Sequence, residues 1–336
     1  MQERFAEVLR IVARGPTRSR PLTREEAALA MGAILDRAVA PEQLGAFLLV
    51  LRYRGETAAE VAGFVDAARA RLPADLGLEP ELDWPSYADR HKQLPWFLLA
   101  AILLAGAGVR VFMHGIAGEG PATTPAGLAA LGITPARSLT EAAEQLDRRC
   151  FAYVPLAVLA PELDRLFALR PLLGLRTPVH TLARELAPFQ PHAQIQGIFH
   201  PTYLELHHEA QRLLGHRRAV VFKGGGGEAQ RNPDKPCRTL LHLDGLALEE
   251  VWPARAYGQP YPWRQEPLEP RRLVALWAGA VSLPGPEAAI IGTAAIALRV
   301  LGRAASMAEA EALAAELWRT RHERLAAAGW GLALSA

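Results

Sequence analysis

The chain of 336 residues is half apolar, and 37 basic against 35 acidic residues leave a formal charge of only +2. That is enough for one large or two ordinary domains with a sizeable core, and the near balance permits a nucleic-acid partner without demanding one. Two cysteines, Cys150 and Cys237, exclude a disulfide framework and offer no metal-ligand spacing, which fits a reduced, cytoplasmic setting.

Met1-Gln2-Glu3-Arg4 opens an amphipathic helix of mixed charge, not a signal peptide. Residues 1–72 read as four helices. Phe5, Val8, Leu9 and Val12 fall at helical spacing. Thr23 with Glu26 and Thr57 with Glu60 form capping boxes for the second and fourth helices, and Pro41 suits the first turn of the third. The basic stretch from Arg14 to Pro21, with Arg18 and Arg20, is an exposed loop or part of a basic track. Residues 73–82 read as a linker. The apolar run Trp96–Val109 is glycine-broken and too short to span a bilayer, so a buried helix feeding the strand at 109–113 is expected and no membrane partner. Thr124-Pro125 and Ser138 with Glu141 start two more helices. A strand follows at 151–154, then helices around 161–170 and 177–187. Strands recur near 194–199, 218–222, 239–243 and 249–252, and helices at 271–282, 286–301 and 306–328 close the chain. The pattern predicts an α/β fold with a mainly parallel central sheet. A small helical domain of residues 1–72, joined by helices near 161–187, would pack on an α/β domain of 73–160 and 188–336.

The most informative stretch is Lys223-Gly224-Gly225-Gly226-Gly227-Glu228, which follows the strand-like run Ala219-Val220-Val221-Phe222. Glycines at a strand end let backbone N–H groups approach an anion closely. From Gly215 to Arg238 there are six basic residues, including Arg231 and Lys235, and two acidic ones, so positive charge is concentrated there. Lys92, Lys223 and Lys235 are the only lysines, all in loops or strand ends, where lysine can serve a phosphate as a compact charge. The alternative is a glycine-rich surface turn with solvated charges.

Val109-Arg110-Val111-Phe112-Met113-His114-Gly115, Thr123-Thr124-Pro125 and Leu128-Ala129-Ala130-Leu131-Gly132 resemble the strand, loop and helix of anthranilate phosphoribosyltransferases. Arg170 to Thr177 is similar to that family's hinge segment, and Gln194 to Pro201 to its next strand. The resemblance implies a small helical domain on a large α/β domain, a homodimer, and an Arg170 that aligns with an arginine used for anthranilate. The motifs that serve the sugar diphosphate differ. The family's Gly-Thr-Gly-Gly-Asp loop falls on Trp84 to Trp96, which holds Arg90, His91 and Lys92. Its metal-binding Asp-Glu pair falls near Gly227-Glu228, and its Asn-Arg after His-Gly on Ile116-Ala117. The hinge Asn-Pro becomes Gln190-Pro191. These replacements resemble a divergent, YbiB-type branch that binds nucleic acid without evident sequence preference.

The resulting expectation is a nucleic-acid-binding protein in which Arg90, His91, Lys92, His114, Arg170, Lys223, Gly224, Gly225, Arg231 and Lys235 line a basic cleft. DNA or RNA would bind through its phosphate backbone, with no catalytic residue, metal or other cofactor. Trp84, Tyr87 and Trp96 would stack on bases or pack in the core. His114 is a ligand donor or a satisfied core histidine. His207-His208 reads as surface, and Glu228 as a cap of the glycine turn or a partner of Arg231. The competing expectation is a phosphoribosyltransferase-like glycosyltransferase with an altered donor loop and an unknown acceptor.

Overall fold

The computed structural model describes residues 2–15, 17–73, 77–88, 92–255 and 258–327. Four helices come first: α1 (Gln2–Ala13), α2 (Arg24–Leu35), α3 (Pro41–Arg54) and α4 (Ala58–Arg69). Both expected capping boxes form: Thr23 with Glu26 and Thr57 with Glu60 each satisfy the other's backbone N–H. Glu60 does more than cap. Fully buried, it also accepts from Leu22 N at 2.9 Å and pairs with Arg54, tying three helix ends together.

The α/β part runs β1 (Leu82–Ser86), α5 (Phe97–Gly106), β2 (Val111–Gly115), α6 (Thr124–Ala130), α7 (Leu139–Arg149) and β3 (Phe151–Pro155). Short helices α8 (Leu156–Leu159), α9 (Pro161–Phe167), α10 (Arg170–Leu173) and α11 (Val179–Leu182) follow. Then come β4 (Ala193–Ile198), α12 (Leu204–Leu213), β5 (Arg218–Lys223), β6 (Cys237–Leu243) and β7 (Leu246–Trp252). The chain continues with α13 (Arg271–Trp277), α14 (Pro284–Leu301), α15 (Met307–Arg319) and α16 (Arg321–Ala327). The last two were expected as one helix; Thr320 caps α15 and its hydroxyl donates to Glu316 O, breaking the run.

The sheet order is β3-β2-β1-β4-β5-β6-β7. The neighbours from β3 through β5 are parallel, and β6 and β7 add an antiparallel hairpin. Asp244 (φ 51°) and Gly245 (φ 91°) make its tight turn. One face of the sheet packs Trp84, Met113, Ile195 and Phe222 with α5 and α14. The opposite face places Phe112, Ala152 and Val154 in one core with Phe47 and Phe64 of the N-terminal helices and Leu163 and Leu182. Helix α14 is long and apolar enough to cross a bilayer, but 78 % of it is buried against the sheet and its neighbours.

Strand β1 lies where only linker and loop were expected. Pro85 within it argues against a central strand, and the geometry shows why it is accommodated. β1 pairs with β2 along all five residues, but with β4 only at Leu82↔Ala193 and Asp83↔Gln194. Leu82 N–H donates to Arg110 O on the β2 side, so by alternation the Pro85 nitrogen faces β4, beyond the last paired residue.

Candidate functional site

The strand order reverses between β1 and β4, and these strands part after Asp83. In an open parallel sheet the crevice outside the carboxyl ends at such a point is where ligands bind. Three glycines let the segments around it meet. A Cβ on Gly115 would lie 2.0 Å from Ser86 O, one on Gly197 2.1 Å from Glu228 O, and one on Gly224 1.6 Å from Glu228 O. Around this junction the Ser86 and Thr124 hydroxyls share a 2.7 Å hydrogen bond, and Ala88 N donates to Glu228 Oε1 at 2.8 Å. Burial pushes the Glu228 carboxyl up to about 7, against the pull of Arg184, the bonds from Ala88 and Ser86, and Arg176.

Glu228 therefore joins the loop after β1 to the loop after β5. It does not pair with Arg231. This also bears on the magnesium-binding acidic pair that the resemblance places here. Position 227 is glycine, the Glu228 carboxyl is turned inward onto Ala88 N and Ser86, and the described residues contain no group of three or more His, Cys, Asp and Glu suited to an ion. The residues present do not fit that pair.

The glycine loop is not a cradle of bare N–H groups. Gly224 N donates to Ile198 O, Gly225 N to Gln230 O, Gly227 N to Gly224 O and Glu228 N to Gly225 O, at 2.7–3.3 Å. The glycines serve close packing and, at Gly226 (φ 68°) and Gly227 (φ 90°), a left-handed backbone. The charge surplus is also largely neutralised. Arg217 and Arg218 pair with Asp244, Arg231 with Glu311, and Arg238 with Glu205 and Glu249. Arg231 is fully buried, donates to Pro253 O and lies over Trp252, so it is a core residue and not a phosphate ligand.

Of the other expected site residues, Lys223 ends β5 exposed, and Lys92 and Lys235 are exposed in loops. Arg170 opens α10 and is partly buried. Arg90 and His91 lie outside the described residues. His114 is a core histidine: its Nδ1 is 2.6 Å from Tyr87 Oη and its Nε2 3.1 Å from Asp83 Oδ1, with no exposure. Trp84, Tyr87 and Trp96 are all fully buried and cannot stack on bases; Trp96 donates to Glu266. His207 is not surface either. It is buried against Glu185 at 2.6 Å, while His208 stacks on His242 and burial lowers it to about 4.

Beneath the crevice, on the helical-domain face, is a polar layer that sequence reasoning missed. Gln194 donates to Asp83 at 2.7 Å and to Arg184 O at 3.0 Å, Gln196 donates to Arg184 O at 2.7 Å, and Gln211 donates to Gln194 at 3.3 Å. The available signal was glutamine alternating with apolar residues at Gln194-Ile195-Gln196, two polar side chains on one face of a buried strand.

An α/β sheet with a helical bundle on one face and a crevice at its switch point is the architecture of the phosphoribosyl-transferring proteins of this fold. Residues 6–72 match the glycosyl transferase family, helical bundle domain. An anthranilate phosphoribosyltransferase of Methylocella silvestris is 30 % identical over 88 % of this chain and 86 % of its own. The uncharacterized protein YbiB of Escherichia coli is 29 % identical over 73 % of this chain and 78 % of its own. The solved anthranilate phosphoribosyltransferase of Thermus thermophilus superposes with a TM-score of 0.77 at 25 % identity, over 94 % of this chain and 97 % of that one. The chain belongs to the anthranilate phosphoribosyltransferase family. That likeness, together with the paired charges and engaged loop amides, overturns the nucleic-acid reading.

Proposed function

We propose that the protein is a phosphoribosyltransferase-type glycosyltransferase with an altered donor loop, acting in the crevice outside β1 and β4. The observation that carries this reading is the 30 % identity with a phosphoribosyltransferase across 88 % of the chain. Transfer from such a donor breaks the bond between the sugar and its diphosphate and leaves negative charge on the departing diphosphate, which a preorganised cation stabilises. Lys223 suits that role: it ends β5 exposed, and among the described residues no carboxylate pairs with it. Arg170 aligns with the arginine that the enzymes use for anthranilate, which supports an acceptor bearing a carboxylate.

Diphosphate release from phosphoribosyl diphosphate, with anthranilate and other aminobenzoates as acceptors and with and without magnesium, tests the reading. Turnover is expected, reduced about tenfold or more by Lys223→Ala or Arg170→Ala. No release with any acceptor, together with no calorimetric binding of phosphoribosyl diphosphate, would overturn it.

A further inference from the structure

Helix α9 lies past the carboxyl end of β3, on the helical-bundle side of the sheet, and carries a carboxylate that the fold leaves unused. Asp164 is partly buried. Its backbone N–H closes a turn onto Ala160 O, but its side chain meets no donor and no cation among the described residues. Its helix neighbours differ, since Glu162 pairs with both Arg37 and Arg165. Asp164 shares a face of α9 with Phe167, one turn further on. Phe167 stacks on Tyr87, with ring centroids 5.7 Å apart, and meets His180 at 4.6 Å. The charge of Asp164 acts on the phenols of Tyr87, just after β1, and of Tyr153 in β3. The Tyr153 hydroxyl is in turn 3.4 Å from Ile116 O, just after β2. The carboxylate thus stands by the carboxyl ends of three strands, beside the switch point.

A partly buried carboxylate without a counter-charge is destabilising, and burial raises its pKa. Such groups cluster where protons are moved. The neighbouring carboxylates are already engaged and buried: Asp83 by Gln194 and His114, and Glu228 by Ala88 N and Ser86. Asp164 has neither an ion pair nor a cap to account for it.

We propose that Asp164 is the general base of the transfer and accepts the proton that an amine acceptor loses when its nitrogen bonds to the sugar. This rests on the transferase reading above. The nitrogen lone pair forms the new N–C bond. The bond between the sugar carbon and the diphosphate oxygen breaks, and its electron pair leaves with the diphosphate. The N–H proton passes to an Asp164 carboxylate oxygen and from there to water. The acceptor class is then an amine with at least one N–H, and its own carboxylate belongs to Arg170, six residues further along the same segment.

The test compares the wild type with Asp164→Asn, using phosphoribosyl diphosphate and 2-aminobenzoate. The kcat for diphosphate release should fall about 100-fold, while the calorimetric affinity for phosphoribosyl diphosphate should not change. The wild-type kcat should decline toward acid pH as Asp164 takes up its proton, and the variant should lack that decline. The facing phenols of Tyr87 and Tyr153 are pushed up by burial and stay protonated, and Glu228, at about 7, is common to both proteins. Urea midpoints at neutral pH should be equal or higher in the variant, because an uncompensated charge has gone. Wild-type kcat in Asp164→Asn, an acid decline that persists there, or a loss of activity matched by a lower urea midpoint would overturn the assignment and leave the transferase reading standing. No diphosphate release by the wild type with any acceptor would overturn both.

Discussion

Glu228 and His216 give the protein opposite responses to pH. Burial raises Glu228 to about 7, above the ordinary carboxyl value of 4.5, so the folded chain holds its proton more tightly than the unfolded chain does. Stability from this residue is full below about 4.5 and is lost as pH rises through about 7. At about 1.4 kcal/mol per unit, the upper limit is roughly 3 kcal/mol. Burial and the neighbouring Arg69 lower His216 to about 3. Its contribution is present above about 6.5 and is lost as pH falls toward 3. Urea unfolding of Glu228→Gln should therefore show a stability curve flatter than wild type between pH 5 and 8. His216→Gln should remove part of the acid decline below pH 6. Unchanged slopes in both variants would show that other groups govern the pH response.

At the scale of elements, the capping boxes were legible because each is complete within four residues, and α2 and α4 start where Thr23 and Thr57 place them. β1 was hidden by Pro85, whose tolerance depends on β4 having already parted from it. The meaning of the glycine run was hidden too. Sequence shows four glycines alike, but their surroundings differ. A methyl on Gly224 would strike Glu228 O at 1.6 Å, whereas Gly226, at φ 68°, faces open space. Gly224→Ala should cost about 3 kcal/mol or more because backbone must move, and Gly226→Ala about 1 kcal/mol for its left-handed conformation. Denaturant midpoints of the two variants decide the matter, and equal losses would contradict this packing role. The basic surplus was misleading for a related reason: Arg231 meets Glu311 and Arg218 meets Asp244 across 80 and 26 residues of chain, pairings that local composition cannot show.

At the scale of the whole molecule, the helical bundle carries apolar surface that one chain leaves uncovered. Tyr53 and Leu49 on α3 are 96 % and 39 % exposed, and Leu29 on α2 is 75 % exposed. With the family resemblance, this supports the proposal of a homodimer formed through the N-terminal helices. Sedimentation should give a dimer at micromolar concentration, and Leu49→Glu with Tyr53→Glu should shift it to monomer with the fold intact. A wild-type monomer would remove the proposal. The general layout, a helical unit and an alternating α/β unit, was legible because periodicity and caps are local. The crevice and the polar layer of Gln194, Gln196 and Gln211 were not, because each is made by segments distant in the chain.

The β6–β7 hairpin has a consequence for the order of assembly. Its register is set by a two-residue turn, so it needs little loop closure and can form in about 1–10 μs. β5 can then add to a strand already in place, whereas β1 and β4 must find each other across three helical crossovers and then pair at only two residues. The carboxyl-end crevice would be among the last features to form. In pulsed hydrogen exchange during refolding, amides of 237–252 should gain protection before those of 193–198. Refolding chains would thus hold a finished sheet edge before they hold a site able to take a ligand.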